Sequence, residues 1–157
     1  MPLPGHKRWN VRPIHEMIDV PSLMALILFE RPAPSSELFW DDEHEIGWVV
    51  HTGESHSEEE ARLNIEAAAR LTKAQGLEKM PMLVDIRLLR SISREARTLY
   101  AGPQNAVVVS AVALVTESSA SRVLANFFMA LNKPATRTRV FTDTDAAVAW
   151  LSEFSNE

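Results

Sequence analysis

The sequence predicts a single α/β domain, a mixed β-sheet of about five or six strands with four covering helices. Three observations predict it. From residue 46 onward, strand-like and helix-like runs alternate as β-α-β-α-β-α-β-α, the order of a sheet whose parallel members are joined by crossover helices. The helical runs begin at capping residues and end at Gly or at Asn132-Lys133-Pro134. At 157 residues, a chain buries roughly 68–70% of its unfolded surface on folding, so neither a metal nor a disulfide is needed to hold it together.

The elements follow in order. Six of the nine prolines (Pro2, Pro4, Pro13, Pro21, Pro32 and Pro34) fall in the first 35 residues, which disfavours continuous helix there. Residues 1–22 therefore read as an N-terminal extension, either an ordered arm or a frayed terminus, and 23–157 as the domain. The apolar run 23–30, between Pro21 and Pro32, reads as a strand. Residues 37–40 and 46–52 form a hairpin whose connector, Asp41 to Glu45, is acidic and expected to project into solvent. Ser57 with Glu60 is a capping box, in which the hydroxyl meets a free amide and the carboxylate reaches back. The helix it opens has Ala61, Ile65, Ala68, Leu71 and Thr72 facing inward, a solvated ladder of Glu58, Arg62, Glu66 and Arg70, and Gly76 as its terminator. A strand follows at 80–86. Ser93 caps a second helix that Gly102 and Pro103 stop, and 110–116 is a buried-type strand. Ser119 or Ser121 opens a third helix, with Val123, Leu124, Phe127, Phe128 and Leu131 as its apolar face. The last strand spans 138–142. Thr142 and Asp145 open the final helix, whose Ala147, Trp150 or Leu151, and Phe154 face inward.

Composition removes whole reaction classes. With no Cys there is no disulfide, thiolate catalysis or Cys-ligated metal. The strongly apolar stretches 22–29 and 107–115 are far shorter than the ~20 residues of a membrane span, and no signal peptide is evident, so a cytoplasmic location is expected. The five glycines, Gly5, Gly47, Gly53, Gly76 and Gly102, are too scattered to form a phosphate-cradling loop. His51, His56 and Glu58 match no standard metal site and read as solvated loop residues. There is no Gly-x-Ser-x-Gly elbow. No catalytic residue, cofactor or metal is expected, and the chain reads as a non-enzyme.

The charge map says more. The net charge of −5 is a sum of unlike parts. Residues 1–60 carry 4 basic and 12 acidic side chains, a balance of −8, and residues 61–157 carry 12 and 9, a balance of +3. Between 87 and 139 there are eight bases and only Glu95 and Glu117 against them. A domain with an acidic face and a basic face suits charged partners or self-association. The plainer alternative is that these arginines pair with carboxylates of the first half. Arg122 sits in a first helical turn, where the macrodipole disfavours a cation, and a salt bridge is the expected explanation.

The runs Met80-Pro81-Met82-Leu83-Val84-Asp85-Ile86-Arg87, Ser93-Arg94-Glu95-Ala96-Arg97, Ser121 to Phe128, Asn132-Lys133-Pro134 and Thr138 to Asp143, with Ala149-Trp150-Leu151, resemble a family of small bacterial STAS-like or CRAL-TRIO-like proteins. The resemblance covers roughly residues 37–155. It implies a SpoIIAA-like fold, a mixed sheet covered by helices as in anti-sigma-factor antagonists and lipid-exchange domains. In those antagonists, a strand ending in Asp leads to a phosphorylatable Ser at the start of the next helix. Aligned on Asp85, that position holds Arg94, with Ser93 one residue earlier. Ser93 reads first as an N-cap, although phosphate on Ser93 would be favoured beside Arg90, Arg94 and Arg97.

The resulting expectation is a non-enzymatic regulatory or protein-interaction module of STAS-like type. Its partner is another protein or a second copy of the chain, not nucleic acid, met through an anion-favouring surface of Arg90, Ser93, Arg94, Arg97 and Arg122. The alternative is a small carrier of a lipid or other apolar-anionic ligand, with Phe127, Phe128 and Leu131 lining its pocket.

Overall fold

The computed structural model describes residues 29–155. They build a six-stranded mixed sheet, a two-stranded ribbon and five helices in three layers. The strands are β1 (Phe29–Ala33), β2 (Ser36–Asp41), β3 (Ile46–His51), β4 (Ser55–His56), β5 (Met80–Asp85), β6 (Ser91–Ile92), β7 (Val109–Val115) and β8 (Arg137–Phe141). The helices are α1 (Glu58–Ala74), α2 (Arg94–Ala101), α3 (Pro103–Ala106), α4 (Ser119–Phe127) and α5 (Thr144–Leu151). The sheet order is β1-β2-β3-β5-β7-β8, antiparallel across β1/β2 and β2/β3 and parallel from β3 onward. This is the α/β class read from the alternation, with α1, α2, α4 and α5 as the four covering helices and α3 a single extra turn.

Strand alternation divides the core in two. Leu38, Trp40, Val49, Met82, Val112 and Leu114 face one side and pack under Ala67, Ala68 and Leu71 of α1 and Ala125 of α4. Phe39, Ile46, Trp48, Leu83, Ala113 and Val115 face the other, under Ala147, Val148 and Leu151 of α5.

Most local expectations hold. Ser57 forms the full capping box with Glu60, Ser93 caps α2, and Gly76 leaves α1 at φ +70°. Several differ. The strand expected at 23–30 lies outside the described residues except for its last two positions. The strand present there, β1, runs on through Pro32, which an edge strand with a register irregularity between Glu30 and Ala33 tolerates. The hairpin connector is not wholly solvated. Asp41 is fully buried, and its carboxylate accepts the amides of Glu43 and His44 (3.0 and 3.2 Å) and meets His44 Nδ1 at 2.8 Å. Helix α4 is capped by Ser118, and α5 by Asp143, whose side chain accepts from the Asp145 amide. The apolar face expected for α4 is split. Leu124 and Phe128 pack inward, while Val123, Phe127 and Leu131 are 63%, 47% and 62% exposed. Apolar residues surround this helix, and its close approach to the sheet selects the small Ser121 and Ala125 for the inside.

Candidate functional site

The parallel pair β4/β6 aligns His56 with Ile92, immediately before the two capping serines, Ser57 and Ser93. The Ser93 amide donates to the His56 carbonyl (3.0 Å), and the amides of Arg90 and Ser91 donate to the Glu54 carbonyl (2.8 and 3.0 Å). Helices α1 and α2 are thereby clipped together at their starts. Asn64 and Tyr100 each lie seven residues beyond their caps, so the clip brings them to the same level. Asn64 Nδ2 donates to the Tyr100 hydroxyl at 3.0 Å.

The rest of the seam follows from donor and acceptor logic. Ser36 Oγ donates to Asn64 Oδ1 (2.7 Å), which fixes the amide so that Nδ2 faces Tyr100. The tyrosine oxygen accepts that bond and turns its own proton toward His56 Nε2, 2.7 Å away. That assignment puts the proton of the neutral His56 ring on Nδ1, which is buried without a hydrogen-bond partner and lies 3.7 Å from Glu60 Oε2. Glu60 also accepts from Ser35 Oγ. The His51 ring, at the end of β3, meets the His56 ring edge-on with centroids 4.4 Å apart. Both histidines are 3% exposed. Burial pushes His51 down to about 3, helped by the charge His56 would carry. Burial also lowers His56, against the opposing pull of Glu60. Burial of the Tyr100 hydroxyl pushes it above the ordinary phenol value. All three are uncharged at neutral pH.

This corrects the sequence expectation for the histidines. They are not solvated loop residues, because the β4/β6 ribbon and α2 cover them. Among the described residues no group of three or more metal-ligating side chains comes together.

The seam borders a cavity of about 80 Å³ between the sheet and α1, α2 and α4. Its walls are mainly apolar: Val49, Met82, Val112 and Leu114 from the sheet, Ala68 and Ala125 from the helices, and Phe128 beyond α4. The space exists because the two inner helical positions nearest the sheet carry alanine. Polar side chains reach it from His51, Asn64, Arg97, Tyr100, Asn105 and Thr138. His51 Nδ1 and Arg97 Nε are buried without a hydrogen-bond partner.

The residues singled out from the sequence are distributed as follows. Arg90, Arg94 and Arg122 are exposed, Arg90 lying 3.6 Å from the Glu54 carboxylate. The salt bridge expected at Arg122 is absent among the described residues. Arg87 instead pairs with the buried Asp85 (2.6 Å), so the carboxylate at the end of β5 is held locally. Ser93 is half-buried, and its hydroxyl accepts from the Ala96 amide (3.1 Å). Arg97 lines the cavity and lays its guanidinium over the Phe127 ring at 5.1 Å. Phe128 is in the cavity wall, whereas Phe127 and Leu131 are on the surface. Sequence reasoning missed His51, Asn64 and Tyr100. Two signals pointed to them: an asparagine on the inner stripe of α1, and the equal seven-residue spacing from two capping serines.

Residues 49–155 match the family described as Domain of unknown function (DUF7793). The chain belongs to the DUF7793 family. The matched segment holds the whole histidine seam except Ser35 and Ser36, together with every residue that lines the cavity. Among solved structures, the chain is similar to an uncharacterised DUF3478-family protein with a SpoIIAA-like fold from Shewanella loihica PV-4. The identity is 20%, with 78% of this chain and 90% of that one covered and a TM-score of 0.45. No curated protein matches the chain. No described helix of this DUF7793 chain is long and apolar enough to cross a membrane.

Proposed function

We propose that this DUF7793 domain is a non-enzymatic binding module that holds a small, largely apolar ligand in the cavity between its sheet and α1, α2 and α4. The observation that carries the reading is the cavity itself, about 80 Å³ of space in an otherwise packed core, walled by aliphatic groups with a few polar groups at hand. An apolar void of ~150 Å³ admits benzene. Roughly half that volume suits a ligand of a few carbon atoms, and a full acyl chain would require Leu124 and Phe128 to move aside. The neutral histidines and the tyrosine held above its usual pKa offer neither an activated nucleophile nor a poised base, which supports a binding role over a chemical one. Methyl NMR of the full chain titrated with a small neutral amide tests this. Shifts confined to Ala68, Leu114 and Ala125 are expected, and their absence would refute it.

One observation favours a second reading, a protein-interaction module. Val123, Phe127 and Leu131 form an exposed stripe along α4 and the turn after it, close to Arg97 and with Arg122 on the same helix. An apolar stripe flanked by arginines suits an acidic partner surface, and light scattering with added salt tests for such an association.

A further inference from the structure

We propose that the ligand of the cavity carries a single carboxylate at its polar end, received by Arg97 and His51. This deepens the binding reading above and rests on it.

Two pairs of the polar side chains at the cavity contrast with each other. Asn64 and Tyr100 are already committed: Asn64 Oδ1 to Ser36, Asn64 Nδ2 to the tyrosine, and the tyrosine hydroxyl to His56. They form a closed network that fixes the wall. His51 Nδ1 and Arg97 Nε are buried and have no partner, and a buried group left without a hydrogen bond in a native fold needs a reason. The two lie on one continuous surface. Arg97 is one turn before Tyr100 on α2, Tyr100 bonds His56, and His56 packs against His51.

What these two groups select is set by their chemistry, and the neutral His51 ring can present its one proton at Nδ1 as a donor. Guanidinium can only donate, and its Nε–H with a neighbouring Nη–H matches the two oxygens of a carboxylate. The Arg97 Cζ lies over the Phe127 ring, 5.1 Å from its centroid. A carboxylate engages the in-plane N–H edge of a guanidinium, which a contact over the ring face does not use. His51 is neutral at pH 7 and contributes a hydrogen bond without adding charge. Among the described residues that line the cavity Arg97 is the single cation, and Glu60 lies beyond His56 along the seam. One positive charge balances a monoanion. A phosphate dianion would carry an uncompensated charge into an apolar wall, and a neutral ligand would leave Arg97 unmatched. With the volume above, the class is a short aliphatic monocarboxylic acid.

The test titrates the full chain at pH 7 with sodium butyrate and, separately, with butyramide, its neutral isostere, following the methyls of Ala68, Leu114 and Ala125. Butyrate is expected to bind about tenfold tighter or more, and Arg97→Gln to erase that difference while leaving butyramide within about twofold. Arg97 is only half-buried, so the variant should fold. Lys73→Gln, an exposed charge at the far end of α1, should change neither affinity. Butyramide binding as tightly as butyrate, or butyrate binding unchanged in Arg97→Gln, would overturn the carboxylate and leave the cavity reading standing. An equal loss in Lys73→Gln would reduce the effect to general surface charge and overturn it too. Binding of neither compound would overturn both.

Discussion

His51 makes the fold sensitive to mild acid, and the size of the effect can be worked out. In the unfolded chain a histidine titrates near 6.5, whereas in the fold burial holds His51 down at about 3. Above pH 6.5 both states are neutral and the residue has no pH-linked effect. Below 6.5 the unfolded chain takes up a proton that the folded chain refuses, so stability falls as pH falls, with a slope approaching about 1.4 kcal/mol per unit until the folded value is reached. Between pH 7.5 and 5 this costs about 2 kcal/mol from His51 alone, and His56, lowered by the same burial, adds in the same direction. Urea unfolding followed by tryptophan fluorescence, with Trp40 and Trp48 on opposite faces of the sheet, gives the stability at each pH. His51→Leu should lose about 2 kcal/mol less than the wild type over that interval, because leucine has no proton to take up. Comparing the two proteins cancels the titrations of groups away from the seam, leaving those of His51 and of His56, whose ring touches it. If the two pH dependences coincide, His51 is not held neutral and the account of the seam fails.

Three further outcomes follow from the same geometry. Asn64→Ala removes the amide that bonds Ser36 and Tyr100 and should lower stability by about 2–3 kcal/mol in urea, since it leaves buried hydroxyls short of partners. Ser93→Ala deletes the hydroxyl that receives the Ala96 amide and should cost about 1 kcal/mol, with Ser93→Asp retaining most of that stability because aspartate caps as well. Ala125→Leu places three more carbons against the cavity; ligand-induced methyl shifts should vanish while thermal unfolding stays within about 1–3 kcal/mol of the wild type.

What could be read from the sequence was whatever its signals state locally. Ser57 with Glu60, Gly76, Ser93 before Arg94, and the apolar runs of β5 and β7 each announce their structure within a few residues, and each appears within a residue or two of its expected place. The site was hidden because its cause is not local. His51 and His56 stand on either side of Thr52-Gly53-Glu54, a polar turn by any local rule. His56 pairs with Ile92 in a two-residue ribbon made across 36 positions of chain, and His51, opposite Ser36 at the end of β3, packs edge-on against its ring. Helix α4 misled for a different reason. Its largest apolar residues were assigned to the core, yet distance to the sheet decides which side chains face in, and at close approach serine and alanine win. Arg97 alone was picked out by the charge count and also lines the cavity, although the count gave it a surface role.

The clip and the void are consequences of one arrangement. A core with space in it normally relaxes by letting a helix settle, and such collapse recovers part of the lost contact energy. Here α1 and α2 cannot settle independently, since the β4/β6 ribbon holds their starts together and the Asn64–Tyr100 bond holds them two turns further on. The alanines at positions 68 and 125 are too short to fill the gap, and the aliphatic residues opposite them are fixed on neighbouring strands of the sheet. The cavity is therefore kept open by the polar seam beside it. The packing lost around an unfilled void counts against the fold before any ligand arrives. Binding would then restore those contacts without the cost of ordering the site. A rigid seam that satisfies Asn64 and Tyr100 among themselves leaves the buried Arg97 Nε and His51 Nδ1 outside its network, so the same constraint that shapes the space bears on which groups an occupant would meet.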